Sequence, residues 1–344
     1  MTANKPLLIC MTPVRNEAWV LHAFLSITSL WADYIIIADQ HSTDGSREIA
    51  LSYPKVILIE NLNQSFNEPE RQKILIDRAR EIEGDKILFG LDADEVFSAN
   101  FMNTDDWRKI LNSNPGDVFW FRWANISSNR QEFWSPNVYF PWMFHDDGIE
   151  PHGNYVTNMH SMRIPYPINE EHVFYVNDFK VMHLAYLLPL RQQAKSRFYK
   201  FIDYEMNHRN YISLSRTYQQ NIILDSIQPL PSEWLYSTES FKFNMFQLIS
   251  DNESILWFDQ YIVDIIKKEG ISEYTKIDIW DNSFLNSTNL KDPRSALIKV
   301  VHFYLRHTQK LSRSIFIRII DKLLKVIDKL LVLIYVVNIL SLEF

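Results

Sequence analysis

A chain of 344 residues, 47% of them hydrophobic, can fill one large core or two modest ones. Its formal net charge of −7 excludes a general nucleic-acid binder, because neutralising phosphates takes a clustered basic excess. The single cysteine, Cys10, excludes an internal disulfide; set in an apolar run, it is expected in the core, in keeping with a reducing compartment.

The opening "MTANKPLLICMTPVRNE" is broken too early by Pro13 and Arg15 to be a secretion signal, so the protein is expected to stay in the cytoplasm. From residue 7, short apolar runs alternate with helical periods: "LLICMT", then Ala18 to Trp31, "YIIIAD", a segment near "SREIALSY", "VILIE", Pro69 to Ile82, and "KILFGLD". Continuous β-branched runs each followed by a helix indicate parallel strands buried on both faces, an α/β doubly wound half-domain. Asn16 is placed to cap the first helix, and Asn67 with Glu70 resembles a capping box. In such sheets ligands gather beyond the carboxyl ends of the strands, where "TPVRNE", "ADQHSTDGS" and "DADE" fall. Seven glycines and no G-x-G leave no phosphate-cradling loop, so phosphate must be met by a metal and arginines.

After residue 117 the chain turns aromatic and irregular, which predicts the remaining strands and loops of the same sheet, with most Trp and Phe in the core. Helical periods return from about 190, as in "RQQAKSRFYKFIDYEM". The expected organisation is a domain over 1–190, with a nucleotide-binding half over 1–117 and an acceptor half over 118–190, then a helical appendage over 191–290 and an amphipathic segment over 291–344.

The stretch "KILFGLDADEVF", residues 86 to 97, ends an apolar strand by crowding acids together. Alternation along a strand would aim Asp92 and Asp94 to one side. Unpaired, they would repel and one would take up a proton. A divalent cation of oxygen preference, Mn2+ or Mg2+, removes that penalty and leaves positions for phosphate oxygens. No G-x-S-x-G, H-E-x-x-H or cysteine-rich zinc spacing offers a competing chemistry.

Taken in order, "TPVRNE", "ADQHSTDGSREIA", an Arg/Lys-rich helix and "LDADE" resemble a family 2 glycosyltransferase of the GT-A fold over residues 6 to 97. "VMHLAYLLPLRQQAKSRFY" resembles a downstream segment of many bacterial members and extends the likeness to about residue 200. The resemblance implies a doubly wound mixed sheet with a C-terminal helical extension. It implies transfer of a hexose from a nucleotide diphosphate sugar, UDP-linked first among the candidates, with inversion, to a glycan or lipid-linked acceptor of bacterial surface polysaccharide or lipopolysaccharide. A non-catalytic sugar-nucleotide-binding or scaffold protein of the same fold is the rival reading. Pro13, Arg15 and Glu17 match the first nucleotide-contacting loop, Asp39 the acid that binds the base, and Asp44 lies in the matching loop. Arg71 or Arg78 is the helix cation. Asp92 faces ribose or metal, Asp94 holds the metal, and His183 completes a mixed oxygen and nitrogen site. Arg191, Lys195 and Arg197 neutralise the leaving diphosphate. The general base is expected in "FHDDGIEPHG", at Asp147 ahead of Asp146, with Glu150 beside them and Glu170 or Glu171 as the alternative. Whether His160 and Arg163 bind acceptor stays open.

Toward the end, "RSIFIRIIDKLLKVIDKLLVLIYVVNIL" places Arg318, Asp321, Lys322, Lys325, Asp328 and Lys329 on one helical face, the rest being apolar. From 310 to 330 six Lys or Arg stand against two Asp. No window reaches the roughly 18 uncharged apolar residues of a spanning helix. The pattern is expected to attach residues 313–344 peripherally to the cytoplasmic face of a membrane, packing on a domain or subunit being the other reading.

Overall fold

The computed structural model describes residues 5–63, 67–149, 163–164, 172–218, 227–250 and 256–340, with side chains described as far as Leu330. Glu150, His160, Glu170 and Glu171 lie outside the described residues.

In chain order the first elements are β1 (Leu7–Val14), α1 (Ala18–Thr28), β2 (Tyr34–Asp39), α2 (Ser46–Leu51), β3 (Val56–Glu60), α3 (Glu68–Arg80) and β4 (Lys86–Gly90). Next come β5 (Glu95–Phe97), α4 (Asp105–Leu111), β6 (Val118–Phe121), β7 (Trp123–Ile126), β8 (Glu132–Trp134), β9 (Phe140–His145), β10 (Val173–Tyr175) and β11 (Val181–His183). The rest are mostly helices: α5 (Pro189–Asn207), α6 (Tyr211–Tyr218), then β12 (Gln228–Pro229), α7 (Thr238–Phe241), α8 (Trp257–Glu269), α9 (Asn282–Thr288), α10 (Ala296–His307) and α11 (Ile315–Leu340).

Two compact units result, Met1–Pro189 with Leu224–Asn252, and Leu190–Ile223 with Glu253–Phe344. The return of 224–252 to the first unit differs from the expected division at 190 and 290, and the rest of 191–290 falls in one unit with 291–344. Its cause is packing: β12 pairs with β8, and Tyr236 and Met245 are buried in the first unit's core, the Tyr236 hydroxyl donating to the Phe97 carbonyl at 2.9 Å.

The first unit carries the expected α/β doubly wound mixed sheet, seven strands in the order β10-β6-β9-β4-β1-β2-β3. β3, β2, β1 and β4 run parallel, and β9 runs antiparallel to both its neighbours, β4 and β6. Alternation along the runs splits their side chains between two faces. Leu8, Cys10, Ile35, Ile37, Ile87 and Phe89 pack with α1 on one side; Ile9, Met11, Ile36, Ala38 and Leu88 pack with Leu75, Ile76 and Ala79 of α3 on the other. Cys10 is thus in the core, as expected, and burial pushes its thiol up and keeps it neutral.

Not all later strands join that sheet. A second sheet of five, β12-β8-β7-β11-β5, lies within the same unit. In its register His183 of β11 stands between Glu95 of β5 and Asn125 of β7. Those three side chains therefore share one face.

The Asn67 cap forms as expected, its carbonyl oxygen accepting from the Glu70 amide at 3.2 Å. Asn16 does not cap α1. It sits at φ 55° and turns its side chain to the Thr43 amide, 2.7 Å away.

The second unit is built on α5, α6 and α8 to α11. Arg197 is buried there, its guanidinium bound to both oxygens of Asp259 (3.1 and 2.7 Å) and to Asp281 (2.7 Å). Arg197 thus ties α5 to α8 and to the start of α9 within its own unit.

Candidate functional site

At the carboxyl edge of the parallel strands the loops after β1 and β2 are locked together. The amides of Asn16, Glu17 and Ala18 donate to Ser42 Oγ, Ser46 Oγ and Asp44 Oδ2, each at 2.9 Å. Three amides at the start of α1 are thus satisfied by the second loop, which is why Asn16 is not needed as a cap. Asp44 also accepts from the Ser46 amide and hydroxyl on Oδ1, so both its oxygens are engaged, one with α1 and one within its own loop. Pro13 lies in β1 beside Ala38, Arg15 is half-buried, and Glu17 accepts from the Trp19 indole.

Asp39 ends β2 and is 1% exposed. Its Oδ2 accepts from Arg47 Nη1 at 2.7 Å and from the Ser42 amide at 3.3 Å, while Oδ1 accepts no hydrogen bond from the described residues. A buried carboxylate oxygen in that condition is unfavourable unless a donor arrives, and a ligand N–H is one such donor.

The acidic motif is not in the strand. β4 ends at Gly90, and Asp92, Ala93 and Asp94 form a turn closed by the Glu95 amide on the Asp92 carbonyl at 2.9 Å. Glu95 folds back so that its Oε2 accepts the Asp92 amide at 3.0 Å. The two aspartates consequently meet different partners, which corrects the expectation of one shared side. Asp92 Oδ2 is ion-paired with Arg163 Nη2 at 2.6 Å, whereas Asp94 Oδ2 lies 3.6 Å from His183 Nε2.

The His183 pair has a definite hydrogen-bond logic. Nδ1 is 2.8 Å from Asn125 Oδ1, which only accepts, so the proton is on Nδ1. In the neutral ring, Nε2 then presents a lone pair toward the Asp94 carboxylate. Two acceptors facing each other need a proton or a cation between them, and a ring oriented through its other nitrogen is typical of a metal-ligating histidine. The oxygen and nitrogen donors fit Mn2+ or Mg2+ with most positions left to water and phosphate. Among the described residues, no group of three or more His, Cys, Asp or Glu is gathered for a metal ion.

Sequence reasoning missed the residues that hold this turn. Glu95, fully buried, also accepts from Trp123 Nε1 at 2.7 Å and pairs with Arg163. Burial pushes its carboxyl up, against the pull of Arg163. For Arg163, burial works against the charge, but Asp92 and Glu95 outweigh it and raise the guanidinium. Trp123 stacks on His183, centroids 5.1 Å apart. Gly90 marks the crossing of residue 163, since a Cβ there would fall 2.9 Å from the Arg163 Cβ and carbonyl oxygen. The alternation of Trp123 and Asn125 along β7 and the lone glycine at a strand end were the available signals.

Asp146 and Asp147 do not come to this edge. β9 runs antiparallel to β4 with His145 opposite Ile87, and the Asp146 amide donates to the Lys86 carbonyl at 3.0 Å. Both acids therefore sit at the amino end of β4. Asp146 is gripped there by Arg80 (3.2, 3.2 and 2.8 Å), and Asp147 closes a turn on the Ile149 amide at 2.9 Å. The base expected at these positions is corrected accordingly. Of the two helix cations, Arg71 is in the first turn of α3, at the carboxyl edge, and pairs with Glu68 at 3.8 Å; Arg78 lies about two turns farther on and pairs with Glu81 at 2.8 Å. Arg191, buried with its guanidinium 5.4 Å from the Phe258 ring centre, and half-buried Lys195 belong to α5 and the second unit.

Fold and edge together describe a doubly wound α/β unit with an acidic turn and a histidine beyond the central strands. No protein-family model matches the chain, and no curated protein does. Among solved structures the chain is similar to glucosyl-3-phosphoglycerate synthase from Mycobacterium tuberculosis in complex with phosphoglyceric acid: 16% identity over 35% of this chain and 44% of that one, TM-score 0.26. It is similar to mannosyl-3-phosphoglycerate synthase from Rubrobacter xylanophilus at 17% identity, over 37% of this chain and 42% of that one, TM-score 0.26. A third, 4-diphosphocytidyl-2C-methyl-D-erythritol synthase, matches at 11% identity over 27% of this chain and 48% of that one, TM-score 0.22. Each match spans less than half the length of the solved chain.

Proposed function

We propose that the first unit binds a nucleoside diphosphate sugar at the carboxyl edge and transfers its hexose, with inversion, to a glycan or lipid-linked acceptor of a bacterial surface polysaccharide or lipopolysaccharide. The observation that carries the proposal is the facing pair of Asp94 Oδ2 and His183 Nε2 on that edge. Bound between them, Mn2+ or Mg2+ would supply charge neutralisation for the departing diphosphate. Asp39 offers its second oxygen to a base N–H, and Arg71 stands at the diphosphate end of α3. Arg163 holds Asp92 and Glu95 in place beneath. With Asp146 and Asp147 at the other edge, the general base is sought among Glu150, Glu170 and Glu171. The bacterial surface acceptor is supported by the resemblance of "VMHLAYLLPLRQQAKSRFY" alone.

Thermal shift with UDP, with and without Mn2+, tests the reading. Wild type is expected to gain Mn2+-dependent stabilisation that Asp94→Ala loses and Asp146→Asn keeps, and release of free UDP from a donor separates turnover from mere binding. Undiminished Mn2+-dependent UDP binding in Asp94→Ala would overturn the assignment.

A further inference from the structure

Helix α11 arranges its charges differently from the expectation of one mixed polar face. Asp321 is turned into the second unit, where it takes the Arg216 fork (2.8 and 2.9 Å) and the Tyr304 hydroxyl (3.1 Å). Asp328 is turned in likewise, to Lys276 Nζ at 2.6 Å and Asn210 Nδ2 at 3.4 Å. Between them Leu324 packs against the cluster of Tyr211, Ile212, Val301 and Leu305. These are the only two acids from 310 to 330, so the outward face carries no carboxylate.

That face shows Ile315 (69% exposed), Ile319, Leu323 (56%), Val326 and Leu330 (52%) at spacings of three and four, with Phe316 (75%) beside them, and is bordered along one edge by exposed Arg318, Lys322 and Lys329. From Leu330 to Leu340 the helix continues without a charged residue. Those eleven residues extend about 16 Å, roughly half the hydrocarbon thickness of a bilayer. Among the described residues no helix is long and apolar enough to cross a membrane.

We propose that the outward face of α11 docks on an anionic lipid bilayer, its cations on headgroup phosphates and its apolar stripe at the acyl boundary. Charge decides between lipid and a second copy of the chain. Pairing two such stripes antiparallel would bring the bordering cations of both copies to one seam with no acid of α11 to meet them, whereas anionic headgroups neutralise them. The proposal uses the second unit alone and stands whether or not the first transfers sugar.

The test is flotation of the full chain with phosphatidylcholine vesicles, with and without added phosphatidylglycerol. Binding is expected to the anionic vesicles, weakened by salt. It should fall about tenfold or more in the triple variant Arg318→Glu, Lys322→Glu, Lys329→Glu. A second variant, Phe316→Ser with Leu323→Ser, is expected to lose binding at unchanged far-UV circular dichroism, since both positions are exposed. Equal flotation with neutral vesicles, no flotation, or a lipid-free dimer dissolved by the serine variant would each overturn it.

Discussion

Glu95 is a carboxylate with no exposure to water that keeps three donors satisfied at once: the Asp92 amide, the Trp123 indole and the Arg163 guanidinium. Removing it leaves a buried cation without half of its charge partners, and breaking such a pair is strongly destabilising. Glu95→Ala is expected to lose on the order of 3 kcal/mol in urea unfolding. Gly90→Ala probes the same contact from beneath, because its Cβ would press on backbone rather than on a movable side-chain tip. An unchanged denaturation midpoint in both variants would mean that Arg163 does not anchor the turn. At this scale the sequence displayed the acids but not their partners. Arg163 is 71 positions from Asp92, and nothing in "NMHSMRIP" says that its arginine crosses a strand end at a glycine.

Elements were most legible where period and composition agree. β1, β2 and β4 are continuous apolar runs and α3 carries its own cap, so each stands where the pattern puts it. Direction was another matter. "FPWMFH" announces a strand, yet only its pairing with β4 reveals that it runs downward and takes Asp146 and Asp147 to the far edge. The start of α1 shows the same dependence on a distant segment, since its amides are capped by the loop after β2. Asp44→Ala removes the acceptor of the Ala18 amide and of the Ser46 amide and hydroxyl, and is expected to lower stability by about 1 kcal/mol. Urea titration checks this; a variant as stable as wild type would show that the loop lock is not what holds α1.

Across the whole molecule, the second unit contains a buried titration that sets its response to acid. His302 donates through Nε2 to the Lys276 carbonyl at 3.1 Å and receives Arg294 Nη1 on Nδ1 at 3.1 Å, which fixes a neutral ring. Burial, outweighing the attraction of Asp278, lowers its pKa from 6.5 to about 4. An unfolded chain takes up that proton near pH 6.5 while the folded unit refuses it down to about pH 4. The contribution is therefore complete above pH 6.5 and drains away between 6.5 and 4, a loss of order 3 kcal/mol. Unfolding curves at pH 7 and 4.5 should show it in wild type and a flatter profile in His302→Gln; identical slopes would contradict the buried neutral ring.

The chain leaves the first unit after Pro189, comes back for Leu224–Asn252, and leaves again. This itinerary couples assembly to synthesis. Tyr236 and Met245 cannot seal the core around Phe97 until the 34 residues Leu190–Ile223 of the other body have already emerged from the ribosome. Excision at residue 190 would yield a fragment missing part of its own interior, so the first unit of this protein is not a detachable cassette.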